Sequence, residues 1–193
     1  MNGTHDIIEE VIRIYGYEHV DPKPLYGEVR IPTHEAGVAI QHVVEDTLAK
    51  QFHMDQCETY PWLNERYLEL FHVDTSHLYQ LQNPAAPELQ YLRDAMIYGL
   101  LDVLTKNYKT IDTINLFDTG KVWVWENDIR VEQKHLGIIS YRATRENRQQ
   151  DPRFFTKQAV EQVLINNRIT GSISYKLTTA SHFHKNKQCE IYV

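Results

Sequence analysis

Apolar residues recur at helical spacing in four stretches of the chain. From Asp6 to Tyr15, Ile7, Ile8, Val11, Ile12 and Tyr15 fall on one face of a predicted helix. Gly16 ends it. Pro22, Pro24 and Pro32 then mark an extended segment, because proline fixes φ and discourages helix. A second helix is predicted over Thr33–Phe52, with a stripe of Ala36, Ile40, Val43, Val44, Leu48 and Phe52, and Glu35 favourably placed in its first turn. A third, over Pro87–Thr105, has Leu89, Leu92, Met96, Leu100 and Leu104 in register, and a fourth covers Phe155–Asn167.

Between these helices lie strand-like runs. They are Glu58–Trp62, Leu68–His72, Ile114–Asp118, Lys121–Trp125 and Leu136–Tyr141, with Ser172–Leu177 and Cys189–Val193 near the end. Asn83-Pro84 reads as a turn, and Thr119-Gly120 as a hairpin turn joining two of the strands. Hairpin-linked strands with helices between groups predict an α+β fold, an antiparallel sheet flanked by helices. A parallel βαβ arrangement fits worse, since no helix separates the strands around Gly120. The expected organisation is a short helical segment (1–20), a Pro-rich linker (21–32) and a core (33–193). The first helix is too short to be stable alone. The last strand stops without a closing turn. The chain is therefore expected to be a piece of a longer protein.

The chain has 193 residues, 42% of them apolar and 24% charged, enough for a core without disulfide or metal staples. Twenty Lys and Arg against 26 Asp and Glu give a net charge of −6. A general nucleic-acid binder carries the opposite excess, so no DNA partner is expected. No apolar run approaches the roughly 20 residues that span a bilayer, and no signal-peptide pattern opens the chain. The two cysteines, Cys57 and Cys189, make neither a disulfide framework nor a zinc pattern. A reducing, cytoplasmic setting is expected.

Three groups of residues could carry chemistry. Asp6, Glu9 and Glu10 sit at i, i+3 and i+4, so their carboxylates share part of a helix surface. They could hold Mg²⁺, a cation that prefers oxygen ligands. Acid at a helix start is also favoured by the helix dipole alone. His182 and His184 alternate on a possible strand and, with Cys189, hint at a transition metal, but no fourth ligand is evident. Exposed histidines on a loop are the plainer reading. Arg142, Arg145, Arg148 and Arg153 form the only basic cluster, near Tyr141, Phe154 and Phe155. RNA backbone could lie there, but Glu146 and Asp151 dilute the charge, as on a solvated loop. Phosphate loops, dinucleotide fingerprints, nucleophile elbows and zinc-protease motifs are all missing from the sequence.

The stretch from Asp6 to Tyr17 resembles the end of the small module that precedes the synthetase-like core in the β subunit of phenylalanyl-tRNA synthetase. Further pieces follow in that family's order: Glu58-Thr-Tyr60, Asn83-Pro84, Leu92-Arg93, Gly99-Leu-Leu101, Asn107 and Leu116-Phe-Asp-Thr-Gly-Lys-Val122. Phe154-Phe155, Lys157 and Val160-Glu161 are similar to a helix of the family, and His184 with the final strand to its closing strands. Asp118 and Thr119 replace the family's Glu and Ile.

The resemblance implies a degenerate copy of the class II aminoacyl-tRNA synthetase core, here the domain over 33–193. It implies packing on the catalytic α subunit within an (αβ)₂ heterotetramer that joins phenylalanine to tRNA(Phe) using ATP. Class II catalysis uses an Arg after the first strand of its second motif to hold the ATP phosphate. The matching strand here reads Lys121-Val-Trp-Val-Trp125, without one. This piece alone is thus expected to be inactive and to bind no ATP. The resemblance also implies that Asp6, Glu9 and Glu10 contribute to a Mg²⁺ site completed by an upstream Asp. Two alternatives stand beside it: a free-standing synthetase-like paralogue with a binding or regulatory role, and a small metal enzyme built on His182, His184 and Cys189.

Overall fold

The computed structural model describes residues 3–29, 35–143, 151–177, 183–184 and 188–192. The chain divides into two units, Met1–His34 and Glu35–Val193.

In the first unit, helix α1 spans Thr4–Tyr15, two residues earlier than the pattern suggests. Its start is a reciprocal cap. The Gly3 amide donates to Asp6 Oδ2 at 3.1 Å, and the Asp6 amide to the Gly3 carbonyl at 3.2 Å. Gly16 ends the helix at φ 103°, a conformation glycine enters without penalty, and its amide reaches the Ile12 carbonyl. The expected apolar face is present but not buried: Ile7, Ile8, Val11 and Tyr15 are all exposed. Residues 20–29 carry no helix or strand, in keeping with Pro22 and Pro24, while Pro32 lies outside the described residues.

The second unit opens with helix α2, Ala36–Asp46, which widens into a π turn over Thr47–Gln51. Strand β1 (Asp55–Gln56) runs parallel to β5 (Thr113–Glu126), and β5 is antiparallel to β6 (Ile129–Arg142) over its whole length. The antiparallel expectation thus holds for the long ribbon, and β1 makes the sheet mixed. A small antiparallel sheet has the order β2 (Trp62–Leu63), β4 (Tyr91–Leu92), β3 (Tyr79–Gln80). Helices α3 (Glu65–Leu70), α4 (Ile97–Asn107) and α5 (Pro152–Asn166) complete the layers. Strands β7 (Ser174–Leu177) and β8 (Cys189–Tyr192) form a separate antiparallel pair.

The period-two alternation of β5 sends neighbouring residues to opposite faces. Phe117 packs with Val44 and Leu48 of the α2 segment and with Ala159 and Val163 of α5. Ile114 and Leu116 pack with Leu100 of α4 on the other face. Phe117, Leu48 and Leu100 are fully buried, each contributing about 1.5–3 kcal/mol. A third cluster, Leu63, Tyr67, Leu78 and Tyr98, sits under α3.

Three expectations are corrected. Leu68–His72 is not a strand but overlaps α3, which Asn64 caps by accepting from the Arg66 amide at 3.0 Å. Pro87–Thr105 is not one helix. The chain forms a 3₁₀ turn at Pro87–Leu89, enters the small sheet as β4, and turns helical only at Ile97. Thr119-Gly120 is not a turn. Strand β5 runs straight through it, and the hairpin turns at Asn127-Asp128, both at positive φ (47° and 63°).

Candidate functional site

Pairing between β1 and β5 ends at Phe117, and side chains take over the strand edge beyond it. The Thr59 amide donates to Asp118 Oδ2 at 3.2 Å. Arg93 donates from Nε to the Lys121 carbonyl at 3.0 Å. Arg93 Nη1 lies 3.6 Å from Asp118 Oδ2, and both side chains are only 4% exposed. The Thr59 hydroxyl bridges them, accepting from Arg93 Nη1 at 2.6 Å and donating to Asp118 Oδ2 at 2.5 Å. A buried ion pair needs such extra bonds, since the mutual attraction alone hardly repays desolvation.

Backbone fixes this geometry. The Arg93 amide bonds the Pro61 carbonyl, and its own carbonyl accepts from the Trp123 amide. Gly120 makes the room: a Cβ there would lie 2.2 Å from Arg93 Nη2. Glycine at 120 therefore serves close approach of a side chain rather than a turn. Burial lowers the Arg93 pKa and Asp118 opposes that shift. The guanidinium stays cationic at neutral pH.

In front of this pair lies an open cleft of about 510 Å³. Its other wall is Glu45, Gln41, Gln56 and Glu58. Glu45 Oε1 accepts from Gln41, Gln56 and Thr119, tying α2 to both strands at the cleft. Burial alone would raise the Glu45 carboxyl, but these donors outweigh it and hold it below its ordinary value. The cleft thus has a wall of acids and amides, and its one guanidinium is spent internally. Such a wall does not complement a nucleotide phosphate. Beside it, the first turns of α2 expose Ala36, Ala39 and Ile40, the last at 55%.

The residues singled out in the sequence fare differently. Asp6 is engaged in the cap of α1, Glu10 pairs with Arg13 at 2.5 Å, and Glu9 is exposed. Among the described residues no group of three His, Cys, Asp or Glu side chains is placed to hold a metal. The α1 carboxylates therefore do not fit a Mg²⁺ site by themselves. His182 lies outside the described residues, while His184 and Cys189 are exposed. The arginine cluster does not form a patch among the residues described. Arg142 turns to Asn115 and the Tyr141 carbonyl and lies over the Phe155 ring. Arg153 binds Asp151, the cap of α5. Arg145 and Arg148 lie outside the described residues. Sequence reasoning missed the Arg93–Asp118 pair, although Leu92-Arg93 and the Asp118-Thr-Gly120 stretch stood out for their resemblance to the family.

The comparisons with known proteins agree with this architecture. By fold, the chain is similar to a solved pyrrolysyl-tRNA synthetase, PylSc of Desulfitobacterium hafniense. That match has a TM-score of 0.59 and 14% identity, covering 75% of this chain and 50% of the other. The fold is therefore that of a class II synthetase core. Over 127 residues the chain is 32% identical to the phenylalanine–tRNA ligase beta subunit of Cupriavidus pinatubonensis, covering 65% of this chain and 15% of that protein. Over 198 residues it is 26% identical to the same subunit of Photorhabdus laumondii, covering 97% of this chain and 24% of that one. The chain thus spans a quarter or less of the length of these relatives. Residues 29–193 match the family model of the phenylalanyl tRNA synthetase beta chain CLM domain. With the strand order, the Arg93–Asp118 pair and the Gly120 contact all lying inside that match, the chain belongs to the phenylalanyl tRNA synthetase beta chain CLM domain family.

Proposed function

We propose that this chain is a synthetase-like assembly domain of a phenylalanine–tRNA ligase beta subunit. It makes no adenylate itself. It packs on the catalytic alpha subunit, and the resulting (αβ)₂ assembly joins phenylalanine to tRNA(Phe) using ATP. One observation carries the reading: the guanidinium beside the central strand is buried and bound by Asp118, Thr59 and the Lys121 carbonyl. Adenylate chemistry needs a cation free to meet phosphate oxygens, and the guanidinium at this cleft is engaged in the fold instead. The exposed apolar turns of α2 supply a surface for a partner, because a helix apolar on several sides is normally covered. Asp6, Glu9 and Glu10 join a Mg²⁺ site only where further donors come from outside this chain. Titration of Mg²⁺ into a longer beta subunit, with and without the alpha subunit, checks that point, and heat-silent titrations in both would remove it.

The test is co-purification with the matching alpha subunit and light scattering on the peak. A stoichiometric complex is expected, and this chain alone should show no ATP–pyrophosphate exchange. Ile40→Glu is expected to abolish the complex while leaving the Tm of the isolated chain within about 2 °C, since it alters an exposed position. A chain that elutes alone beside excess alpha subunit would falsify the assembly role.

A further inference from the structure

Arg130 lies over two aromatic rings. Its guanidinium carbon lies 4.8 Å from the centroid of Tyr79 and 4.6 Å from that of Trp125. The ladder places Trp125 directly opposite Arg130, and the Trp125 indole donates to the His77 carbonyl at 2.7 Å. The side chain is thus pre-oriented at little further entropic cost. A guanidinium lying over ring faces still carries its N–H donors around its rim. Among the described residues no side-chain hydrogen bond or ion pair takes them. It is an exposed fork with no acceptor among the described residues.

The fork ends a longer aromatic strip. Tyr79 and Trp62 both stand opposite Leu92 on β4, so they share one face of the small sheet. Tyr60, 77% exposed, lies 5.0 Å from Trp62 between ring centroids. Tyr, Trp and Arg are the residues that dominate protein interface energetics. Charge selects the kind of partner. Glu126 and Asp128 flank Arg130 at the hairpin tip, and Glu132 stands on the same strand. A nucleic-acid backbone needs several cations along its path and would meet these acids instead. A single carboxylate set in an apolar protein surface complements one arginine fork beside aromatic rings.

We infer that the strip from Tyr60 and Trp62 to Arg130 is a docking surface for the catalytic alpha subunit, which sets one Asp or Glu carboxylate on Arg130 and apolar side chains on Tyr60 and Trp62. This inference rests on the assembly role proposed above. The test co-expresses the chain with the alpha subunit and measures the Kd of the pair. Arg130→Glu is expected to weaken binding roughly 10- to 100-fold, the worth of a charge-assisted bidentate contact. Arg130→Lys should lose part of this, because an ammonium cannot match a carboxylate two-pronged or stack as well. Tyr60→Ala removes an exposed ring, should leave the Tm of the chain alone unchanged, and should weaken binding by about tenfold. It keeps the test decisive if Arg130→Glu unfolds the hairpin. Wild-type binding with all three variants at wild-type affinity overturns the docking surface and leaves the assembly role standing. Unchanged alpha affinity with lost tRNA affinity of the complex overturns it in favour of an RNA contact. A wild-type chain that binds no alpha subunit overturns both.

Discussion

Gly120 and Arg93 compete for one volume, which makes the buried pair testable one atom at a time. Gly120→Ala sets a methyl 2.2 Å from Arg93 Nη2, so either the guanidinium leaves Asp118 or the strand shifts. The expected cost is about 1–3 kcal/mol by urea unfolding. Asp118→Ala is expected to cost more, about 3–5 kcal/mol, because it leaves a charged Arg93 side chain at 4% exposure without its partner. An Asp118→Ala protein with the wild-type urea midpoint would show that the pair does not hold the strand edge. Cys57 lies close to the same carboxylate. Burial, and then the charge of Asp118, push its thiol up to about 11. Only a minute thiolate fraction exists at pH 8, whereas Cys189 is exposed. Maleimide at pH 8 should therefore modify Cys189 first, read by peptide mass spectrometry, and equal labelling of Cys57 contradicts its half-buried place beside Asp118.

At the scale of elements, the long hairpin shows where local signals were legible and where they were not. The apolar periodicity of 36–52 and 155–167 marked α2 and α5 to within a few residues, because each buries one stripe against Phe117 and its neighbours. Thr119-Gly120 gave a false turn signal. Its glycine answers to Arg93, which is distant in sequence, and no local pattern reports that. The true turn, Asn127-Asp128, lay in plain view as two residues that tolerate positive φ. Reading it would have set Trp125 opposite Arg130. Leu89, Leu92 and Met96 kept helical spacing, yet ladder bonds from β2 and β3 to Tyr91 and Leu92 drew the segment into a sheet. Tertiary pairing outweighed propensity there. The turn yields a prediction of its own. Asp128 holds φ at 63°, which costs a non-glycine residue energy. Asp128→Gly is expected to stabilise the chain by up to about 1 kcal/mol, less the added unfolded-state entropy, and so to raise its Tm by a few degrees. A lowered Tm would mean that the Asp128 side chain makes a contact worth more than the strain.

Across the whole molecule, what escaped the sequence was convergence of distant segments. Arg93 meets Asp118 and Thr59, and Arg130 meets Tyr79, through pairings that no spacing rule contains. The resemblance reached Thr59, Arg93 and Asp118 only as scattered matches, and Tyr79 and Arg130 not at all. Glu45 is the plainest case. From α2 it binds Gln56, adjoining β5 through β1, and Thr119 on β5 itself. Those bonds hold its carboxyl below the ordinary 4.5, with His42 adding a smaller pull. The folded chain therefore binds this proton less readily than the unfolded chain does. The stabilisation from Glu45 is complete above 4.5 and is lost as pH falls through the lowered folded value. Glu45→Gln keeps the shape and removes the titration. The wild type should be the more stable of the two near neutral pH, and the difference should shrink on acidification below 4.5. Urea midpoints of both proteins across this range decide the matter. A gap that stays constant down to about pH 3 would mean that the ionised carboxylate does not fasten α2 to the sheet.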